Sequence, residues 1–303
     1  MMRESADKMS ENKNENSNKR RQEKSKQQKE KLKQQNEKSK LQNEKSKQQK
    51  EKSKQRKSRA MELLWGLLSF LLLWEILYLT LKTHTIPSPY LTFLYLPKVW
   101  GKLGYHLAGS LLRVGAAILI SLCLGIPAGI ALSTSSRLRK LFSPFVYFIY
   151  PIPKVAFLPV FMLLFGLGNL SKILLVIWII VFQIILSIRD GADQIPKLYY
   201  KAMAGYQATL SDTLRYLIMP AILPYIFSSL RISLGISLAS LFFAENYATK
   251  YGIGYFILSA WTKMNYKEMF CGILALGLLG ILLFILLDFL EKTFVPWSNK
   301  QSY

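Results

Sequence analysis

Cysteine and histidine are rare in this sequence, and the short motifs of common enzymes are missing. Its 303 residues include two cysteines and two histidines. Cys123 and Cys271 lie in separate apolar runs, so neither a disulfide framework nor a metal site is predicted. The chain has no phosphate-binding Gly-x-x-x-x-Gly-Lys-Ser/Thr loop and no His-Glu-x-x-His motif. We therefore expect that it is not an enzyme by itself, does not hydrolyse ATP and requires no cofactor.

Acidic residues are scarce, and large apolar residues are nearly missing from the first 59 positions. The chain holds 40 Lys and Arg against 18 Asp and Glu, and residues 1–59 alone hold 21 against 9. Between Lys8 and Arg59 the large apolar residues are Met9, Leu32 and Leu41. Such a segment buries too little surface to offset its ordering entropy. We therefore divide the chain into a disordered basic tail, 1–59, and an apolar domain, 60–303.

The tail contains a seven-residue repeat without the apolar positions of a coiled coil. Glutamates recur at this interval: Glu23, Glu30, Glu37, Glu44 and Glu51. Ser, Gln and Lys occupy the positions where a coiled coil requires Leu or Ile. Three hypotheses remain: a solvated arm, an arm attracted to anionic membrane lipid, and a nucleic-acid-binding arm. The last is disfavoured because the tail has no aromatic residue for base stacking.

From Met61 onward the chain is a series of apolar segments, each long enough to cross about 30 Å of hydrocarbon. They predict an all-α, polytopic membrane protein with six spans: 62–81, 108–133, 141–165, 170–188, 222–244 and 270–290. Four prolines interrupt the third span: Pro144, Pro151, Pro153 and Pro159. Prolines at this density predict a kinked or broken helix. Because the tail is strongly basic, the positive-inside rule predicts a cytoplasmic N-terminus and a cytoplasmic segment at 189–221.

Few ionisable residues lie near the predicted spans: Glu75, Arg113, Arg231, Glu245 and Asp288. Each lies nearer the end of a span than its middle, so we expect these side chains to reach the membrane surface. A proton- or sodium-coupled carrier usually has an acidic group near the midplane, and the sequence indicates none. Active transport by this chain would then depend on an energy-supplying partner.

The segment 189–221 combines two short helical patterns. The first places five residues on one face: Leu198, Tyr199, Ala202, Met203 and Tyr206. Thr209 and Asp212 form a capping-box pattern at the start of the second. Its apolar positions are Leu210, Leu214, Leu217 and Ile218. We expect Pro220 and Pro224 to end this helix and open the fifth span. The apolar face either packs on the membrane or on the protein's own helices, or it docks a soluble partner.

The same segment resembles the cytoplasmic loop of bacterial ABC importer permeases. The resemblance lies in Lys201-Ala-Met-Ala-Gly-Tyr-Gln-Ala-Thr-Leu followed by Leu217-Ile-Met-Pro220-Ala-Ile-Leu-Pro224. The family pattern is Glu-Ala-Ala, three residues, Gly, nine residues, an apolar stretch and Pro. Aligned on Pro220, Lys201 replaces the Glu, Ala202 and Met203 take the two Ala positions, and Gln207 replaces the Gly. Gly205, two residues earlier, is the alternative residue for the turn.

A wider resemblance covers about residues 62–290 and points to the nitrate/sulfonate/taurine type of this family. Its motifs occur in the family's order: Trp74-Glu75, Ile86-Pro87-Ser88-Pro89, Ser110-Leu-Leu-Arg113, Gly125-Ile-Pro-Ala-Gly129, Pro151-Ile-Pro153-Lys154, Phe165-Gly-Leu-Gly168, Asp190-Gly191, Leu230-Arg231, Ala244-Glu245 and Tyr251-Gly-Ile-Gly254-Tyr255. The tail lies outside the resemblance.

The resemblance implies a multi-pass permease of the bacterial inner membrane that pairs into a dimer. A cytosolic ATPase subunit would receive the loop, and an extracytoplasmic binding protein would deliver a small solute. Nitrate, sulfonates, taurine or a thiamine-precursor pyrimidine are the solutes it implies. The implied docking residues are Tyr199, Lys201, Ala202, Met203, Gly205, Gln207, Leu210, Leu214 and Pro220.

Two sets of residues are candidates for contact with the solute. In the fifth span a row of hydroxyls recurs at helical spacing: Ser229, Ser233, Ser237 and Ser240. Tyr147 and Tyr150 lie beside the prolines of the third span. The alternatives are close helix packing through the serines and interfacial anchoring by the tyrosines. Gly125 and Gly129 form a Gly-x-x-x-Gly pair, for which we expect close packing.

Two other classes of function compete with an ABC permease. A stand-alone carrier or channel would transport without ATP and would need a midplane coupling group. A membrane scaffold would use the loop to bind a cytosolic partner and the tail to bind lipid, without transport.

Overall fold

The computed structural model describes Met61, residues 65–81 and residues 83–297. The predicted tail, 1–59, and its lipid-binding hypothesis lie outside the described residues, as do residues 62–64 of the first predicted span. The chain divides into two units, one ending at Trp74 and the other beginning at Glu75. The described residues form helices and contain no strand, which confirms the all-α prediction.

Helix α1 spans Trp65–Leu81 and covers most of the first predicted span. It is apolar but shorter than the roughly 20 residues that a helix usually needs to cross a bilayer. In the first unit several of its large side chains, Trp65, Leu68 and Phe70 among them, are more than half exposed, whereas Trp74 is buried. The Phe70 and Trp74 rings lie 6.1 Å apart, one helical turn from each other.

The second unit contains the other helices. They are α2 (Pro89–Thr134), α3 (Ser136–Ile149), α4 (Leu158–Phe165), α5 (Asn169–Asp193), α6 (Lys197–Gly205), α7 (Leu210–Asp212), α8 (Met219–Glu245), α9 (Ile253–Thr262) and α10 (Tyr266–Phe294). A 3-10 turn, Lys154–Phe157, precedes α4, and a π-helix, Thr213–Ile218, joins α7 to α8.

Four helical segments of the second unit are long and apolar enough to cross a membrane, and α3 with α4 forms a broken fifth. These five agree with the second to sixth predicted spans. The exact count of six stays a prediction because α1 is short. The second span is longer than predicted: α2 begins at Pro89, where the Ser88 hydroxyl accepts a hydrogen bond from the Leu91 N–H. Because Lys98 and Lys102 are charged, residues 89–107 do not form an uninterrupted apolar segment, and the sequence therefore predicts a span that begins only at residue 108.

The third predicted span is broken, as its prolines predict. Helices α3 and α4 meet at 89° across a short break at residues 150–153. Pro151 and Pro153 lie in this break, and neither has an N–H to continue the helical hydrogen bonds.

Helix α5 lies between α2 and α8 and forms the main core with them. Gly125 and Gly129 of α2 allow the closest approach. A Cβ on Gly129 would lie 2.8 Å from the Ile188 Cβ and 2.9 Å from the Ile185 carbonyl oxygen, and one on Gly125 would lie 2.7 Å from Ile184. The expected close packing at this Gly-x-x-x-Gly pair is therefore present.

A buried ion pair joins α2 to the end of α8. Arg113 Nη1 donates to Glu245 Oε1, and the two residues are 2% and 0% exposed. Ser110 Oγ lies 2.8 Å from both carboxylate oxygens, and the Gly254 N–H donates to Oε2 at 2.9 Å. The carboxylate is thus held from α2 on one side and from the start of α9 on the other.

The Arg113 guanidinium also reaches the first residue of α5 and the loop after α8. Its Nε and Nη2 donate to Asn169 Oδ1 at 3.0 and 2.8 Å, and Nη1 donates to the Tyr251 carbonyl at 3.1 Å. The guanidinium carbon lies 4.3 Å from the centroid of the Tyr251 ring. A Cβ on Gly252, which has φ of +131°, would collide with the Glu245 carboxylate, so the loop requires glycine there.

The expectation that Arg113 and Glu245 reach the membrane surface is wrong, because each side chain satisfies the other's charge inside the protein. Arg231 instead forms half-exposed ion pairs with Asp288 and Glu291, both at 2.7 Å. Its charge is therefore already neutralised within the chain.

We expect Gly129→Ala to lower the free energy of unfolding of the purified protein by about 1–3 kcal/mol, because the new methyl group meets backbone as well as side-chain atoms. Gly115→Ala is the matched control on the same helix, where a Cβ meets no atom within 4 Å. Thermal unfolding in detergent measures both variants. Equal midpoints for the two would contradict the close packing.

Glu245→Gln should destabilise the protein by about 3 kcal/mol or more, because it leaves the Arg113 charge buried without a counter-charge. Asp288→Asn is the control, since Arg231 is half exposed and keeps Glu291. The measurement is the midpoint of thermal unfolding and the yield of folded protein. A Glu245→Gln protein as stable as Asp288→Asn would show that the buried pair contributes little.

Candidate functional site

The candidate docking loop lies between α5 and α8 and begins with helix α6. The Ala208 N–H donates to the Met203 carbonyl and the Gln207 N–H to the Ala204 carbonyl, both at 3.0 Å. These are the two hydrogen bonds of a Schellman motif, which ends a helix with a residue in the left-handed conformation. The motif fixes the direction in which the chain leaves α6.

Gln207 is the left-handed residue of this motif, with φ of +53°. The alternative that Gly205 serves the turn is wrong, because Gly205 is the last residue of α6 and does not have a positive φ. The turn therefore occupies the position where the family pattern has glycine. A side chain in this conformation costs roughly 1 kcal/mol relative to glycine.

The predicted capping box at the start of α7 is confirmed. The Asp212 N–H donates to Thr209 Oγ1 at 3.2 Å, and the Thr209 N–H donates to Asp212 Oδ2 at 3.0 Å. These bonds satisfy two N–H groups that would otherwise lack partners at the helix start.

The second helix of the loop does not end at Pro220. It widens into the π-helix Thr213–Ile218 and continues as α8, with the Met219 N–H bonded to the Leu214 carbonyl five residues back. Proline has no N–H, and the wider π turn takes up the irregularity without a break. The second helix of the candidate docking loop and the fifth span are therefore one continuous helical rod from Leu210 to Glu245.

The apolar residues of the loop divide into a packed set and an exposed set. Leu214, Leu217 and Ile218 pack on the main core, and so does Tyr200. Burial raises the pKa of the Tyr200 hydroxyl, and the negative charge of Asp193 raises it further. The exposed set is Leu198, Tyr199, Tyr206 and Leu210, of which Tyr206 and Leu210 are 86% and 81% exposed.

The other predicted docking residues lie mostly on the exposed side of the loop. Lys201, Ala202, Gly205 and Gln207 are exposed, whereas Met203 and Pro220 are half-buried. Tyr199 and Pro220 line a groove of about 540 Å³ beside the loop, together with Tyr225 and Trp297. The Tyr225 hydroxyl donates to Gln194 Oε1 at 2.6 Å at the edge of this groove.

The serine row of α8 lies inside the packed bundle. Ser229, Ser233 and Ser237 are fully buried and Ser240 is nearly so. The Ser229 hydroxyl bonds to the Ile226 carbonyl at 2.9 Å, and the Ser237 hydroxyl to the Ser233 carbonyl at 2.6 Å. This placement favours helix packing, and contact of these serines with a solute stays a prediction.

The two tyrosines of the third span lie on a polar strip of α5. Tyr150 donates to Gln183 Oε1 at 2.7 Å, and the Tyr147 hydroxyl accepts from Arg189 Nη2 at 3.3 Å. Both rings are about half exposed. The structure thus brings these tyrosines together with α5.

The sequence predictions missed the Arg113–Glu245 pair and the polar strip on α5. The resemblance motifs contained Ser110, Arg113, Glu245 and Gly254, and the structure gathers these four residues at one point. Residues 132 positions apart carry no local pattern that would reveal their contact.

Comparison with known proteins agrees with this architecture. Residues 121–300 match the sequence model of the family described as "Binding-protein-dependent transport system inner membrane component". The taurine transport system permease protein TauC of Escherichia coli is 31% identical over 195 residues, which cover 64% of this chain and 71% of that protein. The formylaminopyrimidine transport permease protein ThiX of Halalkalibacterium halodurans is 26% identical over 245 residues, 80% of this chain and 98% of that protein.

A solved structure extends the similarity to the fold. An inward-facing form of the MetNI methionine ABC transporter contains a chain with a TM-score of 0.57 and 18% identity, covering 65% of this chain and 98% of that one. The family match covers more than half of the present sequence. This chain therefore belongs to the family of binding-protein-dependent transport system inner membrane components, as the permease subunit of an ABC importer.

Proposed function

We propose that this permease carries a small solute across the bacterial inner membrane and is driven by a separate cytosolic ATPase that binds the loop between α5 and α8. The observation that supports it most is the exposed apolar set Leu198, Tyr199, Tyr206 and Leu210. An apolar set held by a Schellman motif and a capping box presents a fixed surface to a partner.

The continuous rod from Leu210 to Glu245 supports the same proposal. One continuous helical segment links the second helix of the loop to Glu245 of the buried ion pair, so a movement of the loop can be transmitted to that pair. We infer that the N-terminus and this loop are cytoplasmic, because basic residues cluster beside the loop: Arg137, Arg139, Lys140, Lys197, Lys201 and Arg215. A binding protein on the other side would deliver the solute.

The solute belongs, in this proposal, to the nitrate, sulfonate, taurine or thiamine-precursor pyrimidine class. The similar proteins TauC and ThiX are named for transport of taurine and of formylaminopyrimidine, which belong to two of these classes. A second copy of this chain would complete the path, and the tail would remain outside it or bind lipid. Lys201 replaces an acidic residue of the family pattern, so the partner ATPase should have a matched acidic surface.

Purification of the protein from its native membrane, under conditions that preserve complexes, tests the proposal. The expected result is recovery of an ATPase subunit with the permease and ATP-dependent uptake by the complex. Transport without ATP would favour a stand-alone carrier, and a stable cytosolic partner without transport would favour a scaffold.

Leu210→Asp should abolish ATPase association while leaving membrane insertion intact, because the side chain is exposed and has no role in the core. Leu214→Asp is a poorer test, since Leu214 packs on the main core. The control is Ser211→Asp, which adds the same charge at the exposed neighbouring position, where the helix start tolerates it. Co-purification measures association, and binding retained by Leu210→Asp would sink the docking role.

Gln207→Gly should stabilise the end of α6 by roughly 1 kcal/mol, because glycine adopts φ of +53° without strain. Hydrogen exchange of the α6 amides measures this local stability. Gly205→Ala is the matched control: it should also stabilise α6, because Gly205 is helical and a Cβ there meets no atom within 4 Å. If Gly205→Ala instead lowered the protection of the α6 amides against exchange, Gly205 would be the residue at which the turn requires glycine.

A further inference from the structure

The break in the third span carries a lysine that has no carboxylate partner among the described residues. Lys154 follows Pro153 and opens the 3-10 turn before α4. Its Nζ donates to the Tyr150 carbonyl oxygen at 3.0 Å. The same atom lies 5.0 Å from the centroid of the Tyr150 ring and 5.7 Å from that of Phe182.

Within the predicted spans the other basic residues are Arg113, Lys172 and Arg231, and Arg189 lies just after the fourth span. The ion pairs are Arg113–Glu245, Arg189–Asp190, Arg231–Asp288 and Arg231–Glu291. Lys172 donates to the carbonyls of Leu167 and Gly168 at 3.1 and 3.2 Å. Lys154 differs from the three arginines because, among the described residues, no carboxylate pairs with it and its Nζ makes one hydrogen bond, to the Tyr150 carbonyl oxygen.

The residues of α5 that contact Lys154 and Tyr150 indicate how deep this lysine lies in the membrane. Phe182 and Gln183 are near the middle of α5, about 20 Å from Asn169 at 1.5 Å per residue. Lys154 lies against Phe182, and Tyr150 bonds to Gln183, so the break in the third span lies at mid-depth. Irregular backbone at this depth requires protein or a water-filled cavity beside it, and an uncompensated charge there costs at least about 3 kcal/mol in lipid.

The neighbours of Lys154 are neutral polar groups. Tyr150 donates to Gln183 Oε1 at 2.7 Å, and Gln183 Nε2 lies 3.4 Å from Ser187 Oγ. Lys154 and Gln183 are only partly exposed within the chain. The Lys154 ammonium is the charged donor at this break, and such a group attracts an oxyanion and repels a cation.

We propose that Lys154, with Tyr150 and Gln183, binds the negatively charged group of the transported solute, so that the solute is a small oxyanion or carries a sulfonate or carboxylate. The inference rests on the proposed function, since it places the group in a path through the permease. The ammonium supplies the charge and hydrogen bonds, while Tyr150 holds Lys154 through its carbonyl oxygen and ties the break to Gln183 of α5.

Uptake by proteoliposomes that contain the full chain with its ATPase and binding protein tests the site. The probes are labelled nitrate, methanesulfonate and taurine, with a formylaminopyrimidine as the uncharged comparison. We expect Lys154→Met to reduce anion uptake about tenfold or more at limiting solute, and Lys154→Arg to keep at least about a third of it. Lys98→Met is the matched control, because Lys98 also lies over a tyrosine ring, at 5.9 Å from that of Tyr95, but on α2.

Two results would overturn the anion site. One is anion uptake by Lys154→Met within about twofold of the unchanged protein. The other is an unchanged protein that transports none of the three anions, whether or not it transports the pyrimidine.

Co-purification of the ATPase is measured on every variant. A complex that assembles but carries no anion contradicts this inference alone, whereas an unchanged chain that recovers no ATPase contradicts the proposed function. Lys154→Gln keeps a donor for the Tyr150 carbonyl and takes the place of the Met variant if that variant does not assemble.

Discussion

The bundle depends on one buried ion pair. Arg113 and Glu245 bring α2, α5, α8 and the start of α9 to a single point, and none of the four elements supplies enough partners alone. A charge inside a membrane protein is tolerated when each donor and acceptor is occupied, and here Ser110, Asn169 and two backbone groups complete the set. The glycine that ends the loop before α9 follows from this constraint, because a side chain at Gly252 would displace the carboxylate.

Local features of the docking loop were predictable and its turn was not. The capping box needs two residues three positions apart, so Thr209 and Asp212 predict it directly. The turn depends on the hydrogen bond from the Ala208 N–H to the Met203 carbonyl, five residues earlier. This bond makes Gln207 the left-handed residue, although it has a side chain. A preference for glycine therefore pointed to Gly205, two residues too early.

Apolar periodicity predicted the helices of the loop but not which residues they bury. Leu210 and Leu214 are one turn apart and equally apolar, yet the first is exposed and the second packs on the core. Leu210 is the first residue of α7, whereas Leu214 lies in the π-helix that follows and packs on the main core. Contacts between residues far apart in the sequence, such as Arg113 with Glu245, leave no periodic pattern. Without that pattern, the position of a charged residue near the end of a span predicts exposure, although the fold buries both of these side chains.

The ion pair also determines how α2 can move. Arg113 lies near the midpoint of this 46-residue helix, with roughly 35 Å of rod before it and about 30 Å after it. One arm packs against α9 and α10, while the other ends where Arg139 contacts the Leu132 carbonyl and Asp193, close to the docking loop. Because Arg113 lies near the midpoint, a tilt of α2 by about 5° around it would displace the two ends by about 3 Å in opposite directions.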